Sequence, residues 1–397
     1  MTTPSITPSI TPGIARLRTA TTVATAIAAT ILLSATALWR AATGQFVEPW
    51  QASQFWVTYR DGFVRRGLPG EVLSVVTGGS PTIAQMTAAA TALLVAAGAA
   101  WAVLARAVWR VAAEDARAIA AALVVVSPFA FSLLVRDIGR YDTIGIIVFV
   151  MFAAVVLHSG RPQWPALTGM SAATAVAVAS QELLIAFLVP LTVAALGAAG
   201  WTGRRLVVRA AAVLAPGALV AVASVTVTPS RTSLLTAVDA AQAAGTGTDR
   251  YRSNAIAALT QTTEQTLRHS ADISPITFGV CLLLLGGCWA GTTALLWYLL
   301  GRRGGRLFWA YAAVYAAMAV ALSVIGIDYR RWWALAFAAA VATLLLLPAR
   351  DSQPHVRGRL FVLAVLVLAA SAIGQLFPNN PWWDPSAPTN VVLDVRS

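Results

Sequence analysis

Lysine is absent from this chain of 397 residues, and charge of either sign is scarce: only 11% of the residues are charged. A soluble domain carries about a quarter. With 58% of residues hydrophobic, the composition excludes a water-soluble globular protein and makes a bilayer the natural solvent. Cysteine is nearly absent too. Cys281 and Cys288 lie in one apolar run, and seven residues of helix put them about 10.5 Å apart, too far for a disulfide. The three histidines, His158, His269 and His355, fall in different loops, which excludes a His-based metal centre of the usual spacing. There is no P-loop, no GxGxxG and no GxSxG, so nothing points to a bound nucleotide or a serine hydrolase.

All 28 basic residues are therefore Arg, which with the abundance of Ala points to a GC-rich genome. The net charge of +12 does not indicate nucleic acid, because the arginines are scattered between apolar runs. They read as topology and lipid-phosphate residues.

What the chain has in quantity is long apolar segments. The fold class they imply is all-α: a polytopic transmembrane bundle of about eleven helices in a single membrane domain, since only helices and closed barrels satisfy their backbone in lipid. Candidate spans are Thr19–Trp39, Ile83–Leu104, Ala118–Val135, Thr143–Leu157, Pro165–Ser180, Leu183–Gly200, Leu206–Val225, Ile276–Leu300, Leu307–Ile327, Trp333–Pro348 and Leu360–Phe377. Several fall short of the roughly 20 residues of a straight crossing. The pair flanking Gln181-Glu182 reads either as two short helices or as one re-entrant hairpin. Ala35-Thr36-Ala37 resembles a signal-peptidase site, but the span before it is long enough to be retained as a first helix.

Arg in short loops orients the bundle. With the N-terminus in the cytoplasm, fifteen arginines fall inside and thirteen outside, four of the latter in one long loop that the rule discounts. Residues 1–18 then form a disordered cytoplasmic tail, 40–82 a first outer loop, 226–275 a long outer loop and 378–397 an outer C-terminal tail. Pro69 opens a short apolar stretch, Val72–Val76, expected to be an interfacial helix in the first outer loop. Ser253–Arg268 has Ile256, Leu259 and Leu267 at helical spacing. The acids are more one-sided than the arginines. Three lie inside, Glu114, Asp115 and Asp351, and thirteen outside.

Four polar clusters interrupt the apolar pattern on that outer side. They are Tyr59-Arg60-Asp61-Gly62-Phe63-Val64-Arg65-Arg66-Gly67, Arg136-Asp137-Ile138-Gly139-Arg140-Tyr141-Asp142, Gln181-Glu182, and Asp328-Tyr329-Arg330-Arg331-Trp332-Trp333. Charge at the ends of membrane helices is costly unless paired or facing water. The clusters are therefore expected to line a polar cavity opening outward. Arg suits phosphate, because its planar fork binds two oxygens at once, and a carboxylate in the same cavity suits a general base. The plainer reading is local pairing: Arg136 with Asp137, Asp328 with Arg330, Asp61 with Arg65 or Arg66. Trp332, Trp333, Trp382 and Trp383 read as interfacial belt residues rather than sugar platforms. Glu182 has no Arg near it in sequence and needs a partner from elsewhere.

A cytoplasmic N-terminus, a first helix, and then an outer loop with an acidic residue and an interfacial helix resemble the GT-C superfamily of membrane glycosyltransferases. The resemblance lies in this layout and in the first outer loop. It implies transfer of a sugar from a polyprenyl-phosphate donor to a cell-envelope glycan or lipid acceptor, on the extracytoplasmic face of the plasma membrane. Asp61 would be the essential catalytic carboxylate, taking the acceptor's proton, with Glu48 as its substitute. Arg65, Arg66, Arg136, Arg140, Arg330 and Arg331 would bind the lipid phosphate, and Asp137, Tyr141, Asp142, Glu182 and Asp328 would position substrate. No cofactor is required by this chemistry, although clustered carboxylates are compatible with a divalent cation. The paired-acid motif of some branches is missing, since Gly62 follows Asp61. The rival readings are a transporter or flippase of a lipid-linked or anionic substrate, and a non-catalytic membrane subunit of an envelope-assembly complex. Charges gathered at helix ends rather than mid-span count against ion-coupled transport.

Overall fold

The structure is a computed structural model that describes residues 49–114, 116–130, 138–243, 256, 259, 275–301, 305–325, 329–348 and 366–367. Among these the ordered elements are all helical. In chain order they are α1 (Pro49–Gln54), α2 (Leu68–Thr77), α3 (Ile83–Val111), α4 (Arg117–Val126), α5 (Asp142–Ser159), α6 (Trp164–Ser180), a 3₁₀ turn (Glu182–Leu184), α7 (Ile185–Ala198), α8 (Gly203–Thr226), α9 (Arg231–Ala243), α10 (Pro275–Leu299), α11 (Gly305–Ile325) and α12 (Tyr329–Leu346). Five helices are long and apolar enough to cross a membrane: α3, α5, α8, Phe278–Leu299 of α10, and α11. The shortest of them, α5 with 18 residues, is about 27 Å long, close to the hydrocarbon thickness of about 30 Å. The expected first span, Thr19–Trp39, and the last, Leu360–Phe377, lie outside the described residues apart from Leu366 and Val367.

Local sequence accounts for the helix ends. Thr82 and Gln85 form a capping box that starts α3: the Gln85 amide donates to Thr82 Oγ1 (3.3 Å) and the Thr82 amide to Gln85 Oε1 (2.8 Å). α4 is shorter than the Ala118–Val135 run suggests. It stops at Val126 because Pro128 disfavours the helical conformation at Ser127, whose ψ is 138°. α6 stops at Gln181, which is extended (φ −155°, ψ 103°), and the chain restarts through the 3₁₀ turn that carries Glu182. The short helix expected after Pro69 is α2, opened by Pro69 and closed by Gly78 at φ 74°. It leaves Val72, Val75 and Val76 exposed. The long 226–275 segment is not all loop. It contains α9, and Ile256 and Leu259 are helical and buried.

At the centre lies α12, all 18 of whose residues are buried. A helix covered on every side belongs to the middle of a bundle. Its many alanines (Ala334, Ala336, Ala338, Ala339, Ala340, Ala342) let its neighbours approach closely, and the Tyr315 and Thr343 hydroxyls join it to α11 at 2.8 Å. Small residues also bring α6 and α8 together: a Cβ on Gly217 would lie 2.6 Å from Thr174 Cγ2. Outer faces are apolar. Leu219 and Val225 of α8 are 71% and 81% exposed, and Leu283 of α10 is 78% exposed. In water such faces would be a liability, whereas in lipid they are at home.

A smaller apolar cluster, around Phe55, Trp56, Val64, Ile138, Tyr141 and Leu234, ties the first loop to α3, α5 and α9. Gly70 is the tightest point of that loop, because a Cβ there would run into the Val57 and Phe55 carbonyls, which are backbone and cannot swing aside. Gly70→Ala should therefore destabilise the protein by about 1–3 kcal/mol. Gly169→Ala, whose Cβ meets nothing within 4 Å, should not destabilise it. Thermal unfolding of both variants in micelles checks this, and equal melting temperatures would refute it.

Candidate functional site

The polar segments converge at one end of the bundle. Glu182 finds its partner in the first loop, 116 residues away. Arg66 Nε lies 2.9 Å from Oε2 and Nη2 lies 2.7 Å from Oε1, a two-pronged ion pair. The geometry is set from both sides. Gly145 of α5 has no side chain, so Leu184 packs where a Cβ would lie, 2.5 Å from its Cδ2, and the turn bearing Glu182 sits against α5. On the other side Arg66 adopts φ 63°, the one positive φ outside glycine among the described residues. That conformation costs about 1–2 kcal/mol and persists only where surrounding contacts demand it.

A second pair stands beside the first. Arg331, in the first turn of α12, meets Asp142, the first residue of α5, with Nε 2.7 Å from Oδ2 and Nη2 3.2 Å from Oδ1. All four groups are largely out of solvent: Asp142, Glu182 and Arg331 are 7–8% exposed, and the Arg66 side chain is 22% exposed. The two pairs feel one another. Burial alone would lower the Arg66 pKa, but Glu182 outweighs it and Asp142 adds to the rise, with Arg140 opposing, so that the guanidinium ends above its ordinary value. Arg65 is pushed down, by burial first and then by Arg66, while Glu182 holds it up. Arg65, Arg66, Arg140 and Arg331 thus share one electrostatic neighbourhood with Glu182 and Asp142. Arg330, 3% exposed, donates from Nε to the Pro128 carbonyl at 2.8 Å, at the point where α4 has just ended.

Tyr141 immediately precedes Asp142 in sequence and is buried, with its ring edge-on to Phe55 at 5.4 Å. Among the described residues its hydroxyl has no hydrogen-bond partner, and burial keeps it well above its ordinary pKa. A buried hydroxyl left open in a native fold is an available donor and acceptor. Burial, with a further push from Glu71, raises Tyr59 to about 12, so it too stays protonated.

Asp61 is not paired with Arg65 or Arg66 in the way local spacing suggests. Its Oδ2 accepts from Thr236 Oγ1 at 2.7 Å, and its carbonyl accepts from Ser233 at 2.9 Å and Ser230 at 3.1 Å, all on or just before α9. Arg60 turns to Ser74 Oγ (3.3 Å), and the Tyr59 amide donates to Glu71 Oε2 (2.8 Å), which fastens α2 to the loop. Trp332 and Trp333 are buried, not at an interface. Arg331 lies 4.8 Å over the Trp332 ring, and Trp333 packs against Trp289 at 5.8 Å. The belt assignment failed because it read the two rings by type, and they belong to the central helix. Arg136, Asp137, Asp328 and Glu48 lie outside the described residues, as do Trp382 and Trp383. Among the described residues no three His, Cys, Asp or Glu side chains cluster as a metal site would require.

The site residues that sequence reasoning left out are Thr236, Ser230 and Ser233, which hold Asp61, and Gly145. A hydroxyl-rich stretch just after an apolar span was the visible signal for the first three. No signal pointed to Gly145.

Removing either partner of a buried ion pair leaves an uncompensated charge and costs about 3–5 kcal/mol, whereas replacing both by apolar groups is far milder. Arg66→Met and Glu182→Leu should each lower stability by that amount, and the double variant should be less damaged than their sum by more than about 1 kcal/mol. Denaturant unfolding in micelles measures the cycle, and strict additivity would mean that the pair is not coupled.

Compared with known proteins, the chain matches no protein-family model, and no curated protein or solved structure is significantly similar to it.

Proposed function

We propose that this chain is a membrane glycosyltransferase that moves a sugar from a polyprenyl-phosphate donor to a cell-envelope glycan or lipid acceptor. It works at the extracytoplasmic face of the plasma membrane, in a bundle of about eleven crossings with its N-terminus in the cytoplasm and its C-terminus outside. The observation that carries the reading is the gathering of Arg65, Arg66, Arg140 and Arg331 around two buried carboxylates at one end of a lipid-facing bundle. Fixed guanidiniums at the edge of an apolar phase suit a ligand that is phosphate at one end and hydrocarbon at the other.

In this mechanism Arg136 and Arg330 join those four on the donor phosphate. Asp142 and Glu182 hold Arg331 and Arg66 in place, so that their charge is oriented before the reaction begins. Asp137 and Asp328 are assigned the same positioning role. The acceptor hydroxyl oxygen attacks the anomeric carbon, and Asp61, in the same loop as Arg65 and Arg66, takes its proton. The bond from that carbon to the phosphate oxygen breaks, and the polyprenyl phosphate leaves with the electron pair. Negative charge grows on the phosphate in the transition state, where preorganised arginines are worth most. The open Tyr141 hydroxyl hydrogen-bonds a substrate oxygen. Thr236 keeps the Asp61 carboxylate turned to α9 until the acceptor arrives.

Asp61→Asn preserves the hydrogen bond from Thr236, since an amide oxygen also accepts, and should leave the melting temperature unchanged. It should reduce transfer from a radiolabelled polyprenyl-phosphate sugar in membranes by about 10²–10⁴-fold. Full activity in that variant would sink the assignment. Movement of the lipid-linked sugar across vesicles without transfer would favour the flippase instead.

A further inference from the structure

At the opposite end of the bundle the loops after α5 and α7 assemble a second set of cations, of different character. Trp201 is met by two guanidiniums. Arg209 Cζ is 3.7 Å from its ring centroid and Arg161 Cζ is 5.7 Å. Arg209 also lies 5.5 Å from Trp164, so its guanidinium meets both rings. Arg204 and Arg205 are exposed in the first turn of α8. Among the described residues none of these four arginines has a carboxylate partner. Between Asp142 and Asp239 the sequence holds one acid, Glu182, and it is committed to Arg66 at the far end.

Two further features ask for an anion. Among the described residues, Nε of Arg209 and Nε1 of Trp201 are buried donors with no acceptor. α6 and α8 both begin here, and neither Gln163 nor Thr202 caps its helix with a side-chain hydrogen bond. Two sets of first-turn N–H groups, and the positive ends of two helix dipoles, therefore face the same region. Arg204 and Arg205 occupy the helix end where a cation is least favoured. Unpaired donors and uncompensated positive charge are completed by a negatively charged acceptor.

The surroundings are apolar. Trp164 is 60% exposed and Val207 66%, and the exposed face continues along α8 through Leu219 and Val222. We propose that this end of the bundle holds the phosphate headgroup of an anionic phospholipid, with the acyl chains lying along the exposed face of α8. Arg161 and Arg209 contact the phosphate, and the two Trp rings keep them spread and poised. The proposal rests on the membrane character of the bundle and is independent of the chemistry at the other end.

Native mass spectrometry tests it on the full chain, equilibrated in micelles with equal amounts of phosphatidylglycerol and phosphatidylcholine. Phosphatidylglycerol should be retained over phosphatidylcholine by about tenfold or more, because both carry the phosphate but the arginines repel the choline ammonium. The R161Q/R209Q double variant should lose that preference, and Arg231→Gln on α9, at the far end, should keep it. A wild-type protein with no headgroup preference overturns the proposal, so a variant that fails to fold does not shelter it. An unchanged preference in R161Q/R209Q, or an equal loss in Arg231→Gln, also overturns it. Displacement of the lipid by millimolar inorganic phosphate would show a free-anion site and overturn the lipid assignment.

Discussion

A guanidinium and a carboxylate that leave water together are held by a stricter rule than any apolar contact. Either alone is intolerable in the bundle, and together they are tolerable only in one geometry. Arg66 with Glu182, and Arg331 with Asp142, impose that rule on four segments at once. The first loop cannot move from the turn after α6, nor α12 from the start of α5, without exposing a charge to an apolar surround. The apolar core would accept many small slips of one helix along another, but the ion pairs accept almost none. They fix the register of the bundle at its polar end, and the strained φ of Arg66 shows that the backbone yields to them.

The two ends of the bundle answer different demands. At one, each of two carboxylates is gripped by an arginine, and further arginines crowd the same space. At the other, among the described residues, no carboxylate pairs with Arg161, Arg204, Arg205 or Arg209, and aromatic rings do the gripping. Arg in the first setting is rigid and oriented by a carboxylate. In the second it is stacked on indole faces that hold it without neutralising it. That one residue type serves both follows from its chemistry: the guanidinium is planar, permanently charged and weakly hydrated.

Much of this was readable before folding, and the failures are instructive. Helix cores came through because runs of apolar residues report lipid directly. The ends were less secure: the run through Val135 looked continuous, yet Pro128 ended α4 after Val126. Glu182 announced itself as a charge needing a distant partner, but nothing in the sequence named Arg66, because pairing across 116 residues depends on how helices stack. For the same reason Asp61 looked destined for Arg65 or Arg66, its neighbours in the chain, while the fold delivered Thr236. Trp332 and Trp333 were misread because belt positions are inferred from residue type, whereas their burial follows from the central place of α12. The open hydroxyl of Tyr141 is a property of what surrounds it, and no motif encodes that.

The wholly covered α12 has a bearing on how the protein is made. A segment that opens with two adjacent arginines, and that touches protein on every side, is a poor candidate for insertion into lipid by itself. Its requirements are met upstream: the Pro128 carbonyl that receives Arg330 and the Asp142 carboxylate that receives Arg331 are both synthesised about 190 residues or more before it. At any ordinary speed of translation they have left the ribosome well before α12 does. The earlier helices can therefore act as a docking cradle, and α12 packs into a place that they already surround.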